Sequence, residues 1–288
     1  MQKQFDVFLL FMLQKSNKND NNIRPFLKWA GNKYRIIERI KKELPQGKRL
    51  IEPFAGSAAV FLNTDYEHYI INDNNPDLIH LYNILKKEGS SFIKKCRYYF
   101  TPRFNNEEQY YKIRQKFNKT TDISKRAVLF VYLNRHGYNG LCRYNLKGGY
   151  NVPFGRYKSP YFPEKEMLAF HTKAKKAKFV LSSFESIIQS AKNGDVIYCD
   201  PPYVPLSPSA NFTSYSSGGF NMDKQQQLAD LAKETAKKGI TMLISNHNTE
   251  FTRKAYAQAE IKKFHVQRFI SCNGKKRGVA GELLALFK

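Results

Sequence analysis

From Arg24 onward, strand-like and helix-like segments alternate along the chain. That alternation commits a sequence to a parallel sheet covered by helices, because neighbouring parallel strands require a crossover between them. Strands are predicted at Arg49–Phe54, at Tyr69–Asn72 ending in Asp73, at Asp195–Cys199 and at Ile240–Ser245. A helix opens over Ser57–Leu62, and another covers Met222–Lys238 with Leu228, Leu231 and Ala232 on one face. The tail, Phe264–Ser271 and Glu282–Phe287, reads as two strands joined by a basic turn. Between Asp73 and Asp195 a long insertion breaks the rhythm, with helical patterns at Asn106–Phe117 and Ile123–Arg135 that suggest a second lobe. The expected division is an N-terminal extension over 1–23, a sheet domain from 24–75 and 176–288, and an inserted unit over 76–175. No internal repeat is evident.

The 288 residues carry a formal net charge of +24. Such an excess points to a polyanionic partner, since each phosphate met by Lys or Arg releases counterions. Nucleic acid fits better than membrane, because no stretch approaches the roughly 20 apolar residues that span a bilayer. Cys96, Cys142, Cys199 and Cys272 lie far apart without a CxxC pair. That spacing argues against a disulfide framework and a zinc site, and for a reducing cytosol. The apolar run Val7–Leu13 follows Asp6 and precedes no small-residue cleavage site, so it is expected to be a frayed helix rather than an export signal, with Ser16–Asn22 as a linker.

The strand Asp195–Cys199 runs straight into Asp200-Pro201-Pro202-Tyr203. This tetrapeptide reads as a site for a nucleobase amine. The exocyclic amine of adenine presents two N–H donors and a lone pair delocalised into the ring, so its site needs acceptors and no competing donors. Asp200 supplies a carboxylate, and the two prolines lack N–H groups and leave only carbonyls for the pocket. Tyr203 adds an aromatic face for stacking.

Glu52-Pro53-Phe54-Ala55-Gly56-Ser57 falls at a strand-to-helix turn, where glycine admits close approach to the backbone. It lacks GxGxxG, which disfavours a pyrophosphate site. Asp73 ends the next strand, placed to accept from both hydroxyls of a ribose, although an aspartate taken alone at such a place is more often a helix cap or a turn residue. The cluster Phe26-Leu27-Lys28-Trp29-Ala30-Gly31-Asn32-Lys33 holds the only tryptophan. It is either a packed strand leaving through a glycine turn or a pocket wall, with Lys33 facing a carboxylate such as that of a methionine moiety.

From Ile123 to Pro163 there is no Asp or Glu, yet seven Lys or Arg residues are interleaved with Tyr138, Tyr144, Tyr150, Phe154, Tyr157, Tyr161 and Phe162. Dense aromatics on a solvated basic loop are costly, so this reads as a nucleic-acid face. Gly137–Tyr157 looks like a hairpin with Arg143 at its tip, a shape that enters the roughly 12 Å wide major groove, where arginine reads guanine. Val204–Asn221, rich in Ser, Gly and Asn, is either a cover for an extruded base or a plain connector.

These segments together resemble the DNA adenine-N6 methyltransferases of the Dam type, the alpha class with the D12 motif. The likeness covers nearly everything from Arg24 to Lys288 and rests on FLKWAGNK, EPFAGSAAVFLNTDYEHYI, YLNRHGYNGLCRYNLKGGYNVPFGRYKSPYFPE, CDPPYVPLS with ANFTSY, LISNH and ELLALFK. The DPPY element alone is shared with cytosine-N4 and some RNA enzymes; the hairpin segment is far more specific. The resemblance implies an α/β, Rossmann-like S-adenosylmethionine-dependent methyltransferase sheet, with an inserted, mainly helical target-recognition domain carrying the hairpin. It implies cofactor contacts from Trp29, Lys33, Glu52, Phe54, Gly56, Asp73 and Asp200, with Gly56 and its turn on the methionine part. Asp200, Pro201, Pro202 and Tyr203 would form the catalytic motif. Tyr138, Asn139, Leu141, Arg143, Asn151, Pro153, Arg156 and Tyr157 would face double-stranded DNA, with GATC as the target. A cytoplasmic, nucleoid-associated monomer without metal is expected, either solitary or paired with a restriction nuclease. Asn32 and Ala58 depart from the family's glycines, which weakens cofactor binding wherever a positive φ is required.

The implied chemistry is positioning: the sulfonium methyl is already activated, so the protein has only to hold the amine in line and its lone pair out of conjugation. Cytosine-N4 methylation, RNA adenine methylation and a DNA-binding protein that has lost catalysis are the alternatives.

Overall fold

The structure is a computed structural model that describes residues 22–205, 220–267 and 279–288. The expected N-terminal helix and signal-like run, most of the Ser/Gly/Asn-rich stretch after the tetrapeptide, the basic turn of the tail and Cys272 lie outside the described residues.

Among the described residues, seven strands form one sheet in the order β3-β2-β1-β4-β5-β7-β6. They are β1 (Arg49–Glu52), β2 (His68–Asp73), β3 (Ala177–Leu181), β4 (Asp195–Cys199), β5 (Thr241–His247), β6 (Glu260–Gln267) and β7 (Val279–Phe287). β1 to β5 are mutually parallel, while β7 runs antiparallel between β5 and β6. β4 is buried along its whole length, as a parallel strand covered on both faces must be. The β3 strand, alternating buried and exposed at its start, was not read from the sequence.

The helices are α1 (Ile37–Glu43), α2 (Ala59–Asn63), α3 (Pro76–Glu88), α4 (Ser90–Arg97), α5 (Glu107–Lys119), α6 (Ile123–His136), α7 (Glu164–Ala174), α8 (Phe184–Gln189), α9 (Met222–Lys237) and α10 (Glu250–Ala255). Asn75, Asn106, Asp122 and Asn221 each accept from a first-turn N–H of α3, α5, α6 and α9, satisfying donors that a helix leaves orphaned. One face of the sheet is covered by α8, α9 and α10 through Ile188, Leu228, Ala232 and Tyr256. The other carries an aromatic layer in which Phe61, Tyr69, Tyr82, Phe170 and Phe179 meet at centroid distances of 4.7–5.9 Å.

The inserted segment builds no separate core. Tyr110, Phe117, Phe130 and Tyr132 belong to the same apolar cluster as the sheet residues Leu50, Tyr69 and Ile71, and α3 and α7 pack directly on β3. Its hairpin is pinned by antiparallel bridges at Gly137↔Phe154 and Tyr144↔Tyr150. The turn is Asn145–Gly149, with the Gly148 N–H donating to the Asn145 carbonyl at 2.9 Å and Gly148 at φ +75°. Arg143 therefore sits on the stem, one residue before the second bridge, and not at the tip.

The buried Asp77 locks this hairpin to the helices. Its carboxylate takes Arg126 Nε and Nη2 from α6, the latter at 3.0 Å, and the Tyr144 hydroxyl at 2.7 Å. Removing one partner of a buried pair leaves an uncompensated charge. Because Arg126 keeps about a quarter of its side chain in solvent, Asp77→Ala is expected to cost about 2–3 kcal/mol, less than a fully buried pair. Chemical denaturation measures this, and an unchanged midpoint contradicts the linkage.

Candidate active site at the carboxyl edge of the sheet

The chain leaves β1 towards β2 and leaves β4 towards β5, so the connections diverge on either side of the β1–β4 pair. A crevice opens at such a switch point beyond the carboxyl ends of the strands. Four acids or polar groups arrive there from successive strand ends: Glu52 from β1, Asp73 from β2, Asp200 after β4 and Ser245 from β5.

Asp200 is held from two sides. Lys33 Nζ lies 2.7 Å from its Oδ1, with the Lys33 side chain 9% and that of Asp200 20% accessible, and Ser245 Oγ donates to the same oxygen at 2.9 Å. Burial pushes the Asp200 carboxyl above its ordinary range, while the Lys33 ammonium and the hydrogen bonds pull it back. Lys33 also donates to the Gly31 carbonyl at 2.6 Å and stands 4.5 Å from the Tyr203 ring centre. The carboxylate expected for Lys33 is thus, in this structure, that of Asp200.

The prolines do not behave alike. Pro201 is buried and Pro202 exposed, and the Pro202 carbonyl accepts from Gln225 Nε2 of α9 at 2.6 Å. Tyr203 packs edge-on against His247 at 4.7 Å and reaches Glu282 Oε2 at 3.4 Å through its hydroxyl.

On the β1 side, Gly56 has φ +46°, and a Cβ there would meet the Trp29 indole at 3.0 Å. Both the backbone angle and the close ring demand glycine. Asp73 braces this turn: its Oδ2 takes the Gly56 N–H and its Oδ1 the Asn75 N–H, each at 3.0 Å. Burial raises the Asp73 carboxyl against these bonds. Tyr82 donates to the Gly56 carbonyl at 2.5 Å. Phe54 stacks on Phe184 at 5.3 Å and meets Phe220 edge-on at 5.4 Å. Of the two departures from glycine, Ala58 does adopt a left-handed φ of +58°, whereas Asn32 does not and instead accepts from the Tyr34 N–H at 2.9 Å.

Glu52 is 2% exposed, and its Oε1 has no hydrogen-bond partner among the described residues. Burial, then the nearby Asp200, push its pKa up to about 8. A buried acceptor without a partner is expensive, and its position at the carboxyl end of β1 fits a ligand that brings donors into this half of the crevice. Among the described residues no cluster of His, Cys, Asp or Glu is arranged to hold a metal ion.

The DNA-facing candidates lie together on the hairpin. Tyr138 is 50% exposed. Arg143 donates through Nε to Asn151 Oδ1 at 2.8 Å and through Nη2 to the Asn151 carbonyl at 3.3 Å. Asn139, at φ +51°, gives its N–H to the Tyr157 hydroxyl at 3.0 Å, and the Pro153 carbonyl takes the Tyr138 N–H at 2.9 Å. Leu141 is partly buried against the apolar cluster. Arg156, at φ +52°, pairs with Glu107 at 3.3 Å in an exposed contact. Lys28 stands 3.8 Å from the Tyr157 ring centre, and burial together with Arg135 lowers its pKa to about 8.

The sequence pattern of the D12 class N6 adenine-specific DNA methyltransferases matches residues 29–270. The chain belongs to this family. The DNA adenine methylase of Vibrio cholerae serotype O1 is 51% identical over 265 residues, covering 92% of this chain and 96% of that protein. Its counterpart in Escherichia coli K12 is 51% identical over 265 residues, covering 92% and 95%, and that of Salmonella typhi is 50% identical over the same span. The protein is an adenine-specific DNA methyltransferase, and DNA is its substrate.

Sequence reading passed over Ser245, Gln225, Asn246 and Glu282 as site residues of this methyltransferase. The polar pair Ser245-Asn246 closing the apolar strand Ile240–Ile244 was the available signal; Gln225 and Glu282 offered none, because only tertiary packing brings them to the crevice.

The raised Glu52 pKa has a consequence for stability. The folded enzyme holds this proton more tightly than the unfolded chain, so the stability it confers is complete below the ordinary value of 4.5 and is lost as pH rises to about 8. In the absence of ligand, the melting temperature of the wild type is expected to fall relative to Glu52→Gln across that window. Parallel curves contradict the assignment.

Proposed function

We propose that this methyltransferase transfers a methyl group from S-adenosylmethionine to N6 of adenine in GATC within duplex DNA, on a base extruded into the crevice at Asp200–Tyr203. The observation that carries the reading is the arrival, at one switch point, of the Asp200 carboxylate held by Lys33 and Ser245, a proline pair whose Pro202 carbonyl is taken by Gln225, and the Gly56 turn packed on Trp29 and braced by Asp73.

The residues of that cradle fit the donor: Glu52 Oε1 lacks a partner among the described residues, Asp73 ends β2 where a ribose is held in nucleotide-binding sheets, and the Trp29 indole packs directly on Gly56. Trp29, Glu52, Phe54, Gly56 and Asp73 would hold it, with Lys33 at the border with Asp200. When bound, S-adenosylmethionine supplies a methyl group already activated on a sulfonium.

The rest falls to the protein. Asp200 and the Pro201 carbonyl accept the two N–H bonds of the amine, which draws the nitrogen lone pair out of conjugation and orients it for attack. An ionised Asp200 also stabilises the positive charge that grows on nitrogen, and afterwards it is the nearest acceptor for the surplus proton. Ser245 fixes the carboxylate and Lys33 keeps it ionised despite burial. Tyr203 offers its ring to the everted base, and stacking of about 1–3 kcal/mol offsets much of the few kcal/mol that extrusion costs. On the hairpin, Arg143 is the base reader, held by its two hydrogen bonds to Asn151. Tyr138, Asn139, Leu141, Pro153, Arg156 and Tyr157 line the same face.

Incubation of plasmid DNA with the enzyme and S-adenosylmethionine, followed by cleavage with nucleases of different sensitivity to GATC methylation, tests base, atom and site together. Protection in the GATC-adenine pattern is expected; methylation without it overturns the target. Asp200→Ala should lower the single-turnover rate by about 10²–10³ with DNA affinity retained, and undiminished turnover sinks the role given to that carboxylate. Lys33→Met removes the charge that holds Asp200 ionised. The acid limb of the rate profile is therefore expected at higher pH than in the wild type, and an unmoved limb contradicts the pairing.

A further inference from the structure

Two consecutive prolines deprive the segment after β4 of two backbone donors, so a backbone ladder cannot fasten it. Side chains do so instead. Gln225, 1% exposed on the first turn of α9, donates from Nε2 to the Pro202 carbonyl at 2.6 Å and accepts at Oε1 from Asn246 Nδ2 at 3.0 Å. Asn246, fully buried, accepts at Oδ1 from the Val204 N–H at 3.0 Å and also donates to the Tyr256 hydroxyl at 3.1 Å. His247 Nδ1 lies 2.6 Å from the Val204 carbonyl. The chain of bonds has a single direction. A carbonyl at Pro202 can only accept and an amide N–H at Val204 can only donate, so the two groups at its ends dictate which way both side-chain amides point.

We propose that Gln225 is a positioning residue for methyl transfer: oriented by Asn246, it turns the Pro202 carbonyl into the protein and thereby leaves the Pro201 carbonyl and Asp200 facing the amine. Without that bond, the Pro202 carbonyl competes for the same donors and the clasp loses its single geometry. Gln225 itself touches neither the base nor the methyl donor. The inference rests on the reading of Asp200 and Pro201 as the amine clasp.

The test is a comparison of single-turnover rates for Gln225→Glu and Gln225→Met across pH, with Asp200→Ala measured alongside. A carboxylate at 225 cannot donate to the Pro202 carbonyl, but its protonated form can, and burial favours protonation. The titratable groups tied to this cluster are Tyr256 through Asn246, His247 through Val204, and Asp200 and Tyr203 within the segment. They are common to wild type and variant, so the ratio of the two rates isolates position 225. Expected are a rate lowered by about 10- to 100-fold in Gln225→Met at every pH, as misplacement near 1 Å produces, and a Gln225→Glu to wild-type ratio that climbs as pH falls. KM for DNA and for S-adenosylmethionine should stay within about twofold of wild type, as a loss of positioning without a loss of binding requires. A flat ratio, or a loss confined to KM, overturns the proposal. If Gln225→Glu does not fold, Gln225→Met decides alone, and a wild-type rate there is a refutation. An inactive Asp200→Ala beside normal Gln225 variants removes only the positioning role, whereas an active Asp200→Ala removes the clasp on which it rests.

Discussion

The fold is organised around the cost of keeping one carboxylate charged where water is scarce. Asp200 ends a strand buried on both faces, and burial opposes its ionisation. A charge in such a place persists only when it is paired and hydrogen-bonded. Lys33 and Ser245 meet that requirement, and each comes from a part of the chain distant in sequence. The sheet order explains why they can: strands β4 and β5 are adjacent and parallel, so Ser245 arrives level with the end of β4, while the Gly31 turn delivers Lys33 across the crevice mouth.

The same requirement shapes the neighbouring half of the crevice. Burial, and then the nearby Asp200, disfavour ionisation of Glu52, and with its pKa pushed up to about 8 the protonated form dominates at neutral pH. One edge of the sheet thus carries acids in different states: Asp200 compensated by a lysine, Glu52 kept neutral, and Asp73 committed to the Gly56 and Asn75 backbone N–H groups. The insertion is fastened to this edge at Asp77 and at Asn75, whose side-chain amide lies 3.5 Å from Cys142 Sγ beside Arg143. Cross-strand backbone bonds such as Asn151 N–H to the Arg143 carbonyl close the hairpin, and side-chain bonds to the helices fasten it to the rest of the protein.

Much of this was legible in the chain. The alternation of segments located β1, β2, β4, β5 and β7 within three residues of their bounds and overlapped β6 only at 264–267, and the DPPY tetrapeptide announced the crevice, because proline and acid placement follows from local chemistry. β3 was missed since Ala177–Leu181 is short and begins Ala-Lys, without the continuous apolar run that marked β4. The inward turn of the Pro202 carbonyl and the pairing of Lys33 with Asp200 were hidden for a different reason: they join positions separated by more than twenty residues, and no periodicity encodes such contacts. Glycines mark turns and suggest a tip at Arg143, but Asn145, whose side chain accepts from the Lys147 and Gly149 N–H groups, opens the turn two residues later. The left-handed Ala58 is the reverse case. Its departure from glycine was visible as a sequence anomaly, and it does carry the backbone strain of about 1–2 kcal/mol that such a residue incurs.

The account stands on the geometry of Asp200 and the Pro201 carbonyl when an adenine is present. A crystal structure of the enzyme with GATC duplex and an unreactive analogue of the methyl donor measures it. Both oxygens are expected within about 3 Å of N6 of an everted adenine, with the Pro202 carbonyl still on Gln225. An everted adenine whose amine meets neither oxygen, with the Asp200 carboxylate turned away, would contradict it.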